Sequence, residues 1–149
     1  MTTKKTPGVS HSDLRSGIML VNEFHRKFEV PVTGDERYMP DAETREYRIN
    51  FLREELAEFE EAIDDQDPVK AFDALLDLAY VVYGTALMMG IDQFQWVKGF
   101  SHVHSRNMAK VRATSPDQSK RGTALDVVKP EGWYPPEEML KQILFGSDS

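Results

Sequence analysis

The chain has no cysteine. That excludes disulfides and thiolate metal sites and makes the cytoplasm the expected compartment. It also lacks an uncharged apolar run long enough to cross a bilayer. The nearest candidate, Ala71 to Met89, contains Asp73 and Asp77, and carboxylates are costly in lipid. That stretch therefore reads as a buried helix of a soluble bundle. Met1 to Ser12 is polar, holds Lys4, Lys5 and Pro7, and has no apolar centre of the kind a secretory signal needs. Positive charge is short as well. A net charge of −7 argues against gripping a nucleic-acid polymer by counterion release, but an acidic protein can bind a polyanionic nucleotide when metal ions bridge the two. No repeat, low-complexity tract or β-strand of any length stands out.

What is present is helical periodicity. A chain of 149 residues suits one domain with a real core and is short for two. Ser12 or Asp13 can cap a first helix in which Leu14, Ile18, Val21 and Phe28 keep helical spacing. Val30 to Pro40, with two prolines and a glycine, reads as a loop. Asp41 can cap a second helix running to about Asp65, with Ile49, Leu52, Leu56, Phe59 and Ile63 as its apolar stripe. Asp67-Pro68 restarts a third helix that stops near Gly90. From Ala74 to Met89 this helix is apolar on nearly every side, so it belongs in the middle of something, and part of its cover is expected from a second subunit. Gly84 in mid-helix suggests close helix approach. Asp92 can cap a fourth helix to about Val111, with Phe94, Val97, Phe100, Val103 and Met108 as core candidates, and Glu137 to Phe145 can form a short last one.

The second and third helices also carry the acids. Glu54, Glu55 and Glu58 lie along one, with Glu55 on the rim of the apolar stripe; Asp73 and Asp77 are one turn apart on the other. Packed side by side, the helices would bring these carboxylates towards one spot, where they would repel one another unless cations neutralise them. Hard oxygen donors suit magnesium, which keeps its waters and binds substrate phosphates. The plain alternative is that Glu54 to Glu58 is a solvated face and that Asp77 forms a structural ion pair with Arg48 or Arg53.

These acids also carry a resemblance. The chain resembles the MazG-like all-α nucleoside triphosphate pyrophosphohydrolases, a superfamily that includes phosphoribosyl-ATP pyrophosphohydrolase and dimeric dUTPases. Its mark is a Glu-Glu-x-x-Glu motif on one helix, matched by Glu54, Glu55 and Glu58, and an acidic pair on the next that ends in Asp, matched by Asp77; fourteen residues lie between Glu58 and Asp73. Similarity extends through Tyr80 to Gly84, Val103 to Lys110 and Lys129 to Trp133, and so covers most of residues 14 to 136. The commoner second motif, Glu-x-x-Asp, would put Glu at position 74, where this chain has Ala; Asp73 is the nearest acid.

The resemblance implies an all-α, four-helix-centred bundle completed by oligomerisation, with an irregular C-terminal segment. The chain itself reads as a flexible tail at 1–11, a helical domain at 12–111, which the resemblance makes the catalytic one, and an extension at 112–149 that packs on the domain or on a partner subunit. The implied reaction is magnesium-dependent hydrolysis of (deoxy)nucleoside triphosphates to monophosphate and pyrophosphate, in nucleotide-pool control, with manganese as a substitute ion. Such chemistry needs charge neutralisation and an in-line water more than covalent help. Glu55, Glu58 and Asp77 are the expected metal ligands, Asp73 a weaker fourth, and Glu54 the residue that orients or deprotonates the water. Lys110, Asn107 and Lys129 are the candidate phosphate contacts. Trp133 is expected to stack on a base or to dock the tail, and Asn22 and His25 to line the nucleoside pocket. The expected partners are the nucleotide and further copies of the chain, as a homodimer or a dimer of dimers, with no nucleic-acid polymer and no membrane. Two other readings stay open: a phosphoribosyl-ATP pyrophosphohydrolase, and a non-catalytic helical dimerisation or regulatory module.

Overall fold

The computed structural model describes residues 15–146; the tail at 1–11 and the cap at Ser12 or Asp13, with Leu14, lie outside them. Five α-helices make up most of this span: α1 (Gly17–Lys27), α2 (Ala42–Asp64), α3 (Pro68–Met88), α4 (Gln93–Met108) and α5 (Glu137–Phe145). The only ladder among the described residues pairs β1 (Val111–Arg112) antiparallel with β2 (Val127–Val128). The class is all-α, as the periodicity predicts.

Local chemistry sets the helix ends. α1 starts behind Ser16, whose carbonyl accepts from Met19 and Leu20 N–H. The Asp41 carboxylate accepts from Thr44 N–H at 2.8 Å and opens α2. Asp67 accepts from both Val69 and Lys70 N–H at 3.0 Å, with Pro68 at the first helical position, where its missing donor costs nothing. Past α3 the chain turns at Gly90 (φ 93°), a conformation that favours glycine. The 30–40 loop is tied to this end of α3, because Thr33 and Gly34 both donate N–H to the Met88 carbonyl.

The chain packs as two compact units, one ending at Gln93 and the other beginning at Phe94. This division groups α4 with the C-terminal segment, whereas the sequence suggests a boundary near residue 111. In the first unit both α1 and α2 pack on α3, and the core is Ile18, Val21, Ala62, Ala71, Ala74, Val81, Ala86, Leu87 and Met88. In the second unit Leu140 of α5 packs against Gly99 of α4, Gln95 donates to the Ile143 carbonyl, and Trp133 Nε1–H donates to the Arg106 carbonyl at 2.7 Å.

Two expectations about the core are corrected. The buried face of α2 is Thr44, Arg48, Glu55 and Ala62, while Ile49, Leu56 and Ile63 of the expected stripe are exposed. The reason lies in α3. Its covered residues include Ala71, Ala74 and Gly84, and such small side chains leave room for long polar ones between the helices. On α4 no residue is buried, and Phe94, Val97, Phe100 and Met108 are exposed in the single chain. α3 is covered mainly in its C-terminal half; nearer its start Phe72, Leu75 and Leu76 face outwards.

Candidate functional site

Glu55 is the centre of the acidic site. It is buried on α2, which packs on α3, one turn after Phe51, and only 8% of it is exposed. Its Oε2 is enclosed and has no hydrogen-bond partner. Burial, followed in order by the charges of Glu58, Asp77, Glu54 and Asp73, pushes its carboxyl above the usual carboxylate range. The helix packing therefore brings the other four predicted acids within electrostatic reach of Glu55. The four neighbours are exposed. They are free to turn, and mutual repulsion favours their standing apart.

Among the described residues no group of three Asp, Glu or His side chains is drawn together tightly enough to hold a metal ion by itself. The donor chemistry nonetheless suits a hydrated hard cation, which takes one or two carboxylates and keeps several waters. The buried Glu55 Oε2 lacks a donor that such a cation would replace. Glu55, Glu58 and Asp77 are the residues that would hold it, with Asp73 one turn earlier on α3.

The ion-pair alternative for Asp77 does not hold. Arg48 donates from Nη2 to the Val81 carbonyl at 2.9 Å and from Nε to Thr85 Oγ1 at 3.1 Å. Arg53 donates to Asn50 Oδ1. Arg15, Arg37 and Arg121 pair with other acids, Glu23, Asp35 and Asp126. Asp77 is left to the acidic cluster.

Sequence reasoning missed what surrounds Arg48. Its guanidinium is buried between Gly84 and the rings of Tyr47 and Phe51, each centroid 5.3 Å from Cζ. His25 Nε2 approaches the same glycine. Gly84 thus makes room for two side chains rather than for a second backbone. The signal was present, since Arg48 lies seven residues before Glu55 and therefore on the same helical face.

Asn22 and His25 line a cavity of about 400 Å³ in the first unit, together with Val32, Leu87, Gly90 and Ile91. Asn22 Nδ2–H donates to Gln93 Oε1 at 3.3 Å. Burial, with the Arg48 charge second, lowers the His25 pKa from its ordinary 6.5, so the imidazole is neutral at physiological pH. Gly84, which His25 touches, is seven residues beyond Asp77, roughly 10 Å along the helix.

Asn107, Lys110, Lys129 and Trp133 belong to the second unit. The Trp133 ring is flanked by Lys129 Nζ at 4.6 Å, Lys110 Nζ at 5.5 Å and Arg106 Cζ at 5.6 Å from its centroid. With its N–H bound to the Arg106 carbonyl, the tryptophan docks its loop on α4.

Comparison with known proteins follows the same residues. The phosphoribosyl-ATP pyrophosphohydrolase family model matches residues 21–107, more than half of the chain and a span that includes the acids of both helices. The chain belongs to the phosphoribosyl-ATP pyrophosphohydrolase family. Through it the chain belongs to the MazG-like nucleotide pyrophosphohydrolase superfamily. An uncharacterized protein of Acanthamoeba polyphaga mimivirus is 28% identical over 86 residues, which cover 56% of this chain and 34% of that protein. The chain thus spans about a third of the relative's length. Family membership points to a pyrophosphohydrolase kind of activity, in which the anhydride of a nucleotide is hydrolysed.

Proposed function

We propose that the protein is a cytoplasmic, magnesium-dependent pyrophosphohydrolase of (deoxy)nucleoside triphosphates, releasing the monophosphate and pyrophosphate and serving nucleotide-pool control. The observation that carries this reading is Glu55, a buried carboxylate with an unpartnered oxygen and four further acids around it. Such an arrangement is unfavourable in isolation and becomes favourable around a divalent cation. Bound there, magnesium or manganese would neutralise the phosphate oxygens of the substrate.

The chain's own residues then divide the work. Glu55, Glu58 and Asp77, with Asp73 as the fourth, supply oxygen donors. Glu54 orients the attacking water and accepts its proton. The cavity beside Asn22 and His25 takes the nucleoside, where a neutral imidazole can hydrogen-bond a base or ribose without adding charge. The resemblance assigns Lys110, Asn107 and Lys129, which lie in the second unit, to phosphate. Exposed Leu56, Phe72, Leu75 and Leu76 on neighbouring helices support self-association as a homodimer or dimer of dimers.

A second reading is supported by the family match itself: phosphoribosyl-ATP as the substrate. Both substrates carry a triphosphate whose hydrolysis releases pyrophosphate, and the acidic site serves either. Pyrophosphate release from a nucleotide panel that includes phosphoribosyl-ATP, with and without magnesium, separates them. Turnover should vanish in Glu58→Ala, and Glu54→Ala should lose turnover while keeping metal affinity. Silence on every substrate would leave a non-catalytic helical module as the account.

A further inference from the structure

The second unit holds a cavity of about 560 Å³ lined by Lys110, Lys120, Arg121 and Lys129, with Asp126 as the carboxylate among its lining residues. In a chain of net charge −7, four cations around one hollow need a reason. The ladder shows how two of them meet. β1 and β2 pair Val111 with Val128 and Arg112 with Val127, so Lys110 and Lys129 are the next opposed pair at its open end. Like charges directly opposed on a ladder destabilise it. Both ammonium groups also lie over the Trp133 ring, which holds them by its quadrupole but leaves their charge unneutralised.

None of Lys110, Lys120 and Lys129 takes part in an ion pair among the described residues. The connection between the strands is braced by its own hydrogen bonds. Asp126 Oδ2 accepts from Arg121 Nη1 at 2.8 Å and from Ser119 Oγ at 2.7 Å, and Ser119 Oγ in turn accepts from Arg121 N–H. Gln118 Oε1 accepts from Thr114 N–H and its hydroxyl. The loop that carries Lys120 and Arg121 is thus fixed by its own hydrogen bonds before any ligand arrives, which reduces the entropy lost on binding.

We propose that this pocket is an anion site for a condensed phosphate, taking inorganic pyrophosphate or the corresponding part of a nucleotide, and that it binds without a metal. Cations spread over the ladder end and the loop match an anion with several phosphoryl groups better than a single carboxylate. The volume falls within the ordinary range of small-ligand pockets. The choice of pyrophosphate rests on the pyrophosphohydrolase reading; the geometry of the site does not.

The test is calorimetric titration of the full chain with inorganic pyrophosphate, with EDTA present to remove divalent ions. Saturable binding is expected, weakening by about tenfold in Lys120→Gln and in Lys129→Gln, the loss expected for one charge-assisted hydrogen bond. Lys98→Gln removes one charge from α4, about 15 Å along its axis before the helix ends at Met108, and should bind as the unaltered protein does. All three positions are polar and lie outside the core, so folding should survive, and circular dichroism checks it. Absence of binding at millimolar pyrophosphate overturns the proposal, as does an equal loss in Lys98→Gln, which would mean diffuse charge attraction. Pyrophosphate binding in EDTA without magnesium-dependent turnover of any nucleotide would overturn the hydrolase reading while upholding the site. Turnover without metal-free binding would do the reverse.

Discussion

The guanidinium of Arg48 occupies the space that a side chain at residue 84 would need: its Nη2 lies 2.7 Å from the position of a Cβ on Gly84. His25 Nε2 stands 3.1 Å from the same point. Arg48 cannot yield cheaply, because Val81 and Thr85 hold it by hydrogen bonds. Alanine at 84 would gain about 1 kcal/mol of helix propensity and lose about 1–3 kcal/mol to overpacking and a displaced hydrogen bond. Gly84→Ala is therefore expected to lower the urea midpoint. An unchanged or raised midpoint would show that the seat is slack.

His25 gives this cluster a pH dependence. Its folded-state pKa lies below the ordinary 6.5, chiefly through burial and then through the Arg48 charge. Below about 6.5 the unfolded chain binds the proton more readily, so stability is lost as pH falls towards the folded-state midpoint. Proton NMR should find the His25 titration below that of a free histidine, and Arg48→Gln should move it upwards.

Glu55→Gln should separate stability from chemistry. The neutral amide removes a buried charge facing four other acids, so the metal-free variant should melt higher than the unaltered chain. Magnesium should stabilise the unaltered chain and leave the variant's melting temperature unchanged, and pyrophosphate release should be lost. Equal stabilisation of both proteins would place the ion elsewhere.

Asp126 has the opposite behaviour. Hydrogen bonds from Ser119, Arg121 and Val127 hold its pKa down to about 2, against an ordinary 3.8. Its contribution is complete above the unfolded value and disappears as pH falls through the interval between the two. The second unit should loosen between about pH 4 and pH 2, read as loss of amide protection in the β1–β2 ladder. Asp126→Asn should loosen the ladder at neutral pH and flatten that acid step.

Phe72 is 63% exposed near the start of α3, with Leu75 and Leu76 beside it. If self-association covers this face, Phe72→Glu should reduce the mass seen by sedimentation while leaving helicity unchanged. An unaltered mass would assign assembly to another face.

Much of the fold was legible because it is decided over a few residues. Asp41, Asp67-Pro68 and Gly90 mark helix ends where the structure has them, since caps depend on adjacent backbone groups. The acids were legible for the same reason: Glu54, Glu55 and Glu58 on one helix and Asp73 and Asp77 on the next follow from helical spacing. Which face of α2 would be covered was not. Leu56, apolar and in register with its stripe, is exposed, while Glu55 beside it is buried. Hydrophobicity ranks faces, but the surface offered by α3 chooses among them.

The sequence by itself determined the helical class, the limits of α2, α3 and α5 and the set of acids, because hydrogen bonds within a helix and its caps join near neighbours along the chain. Only the tertiary structure decided that Glu55 is enclosed, that Arg48 is seated against Gly84 rather than paired with Asp77, and that Lys110 meets Lys129. Each of these depends on residues brought together from distant parts of the chain, by helix packing or by strand register, and the local pattern of either segment alone does not specify the partner.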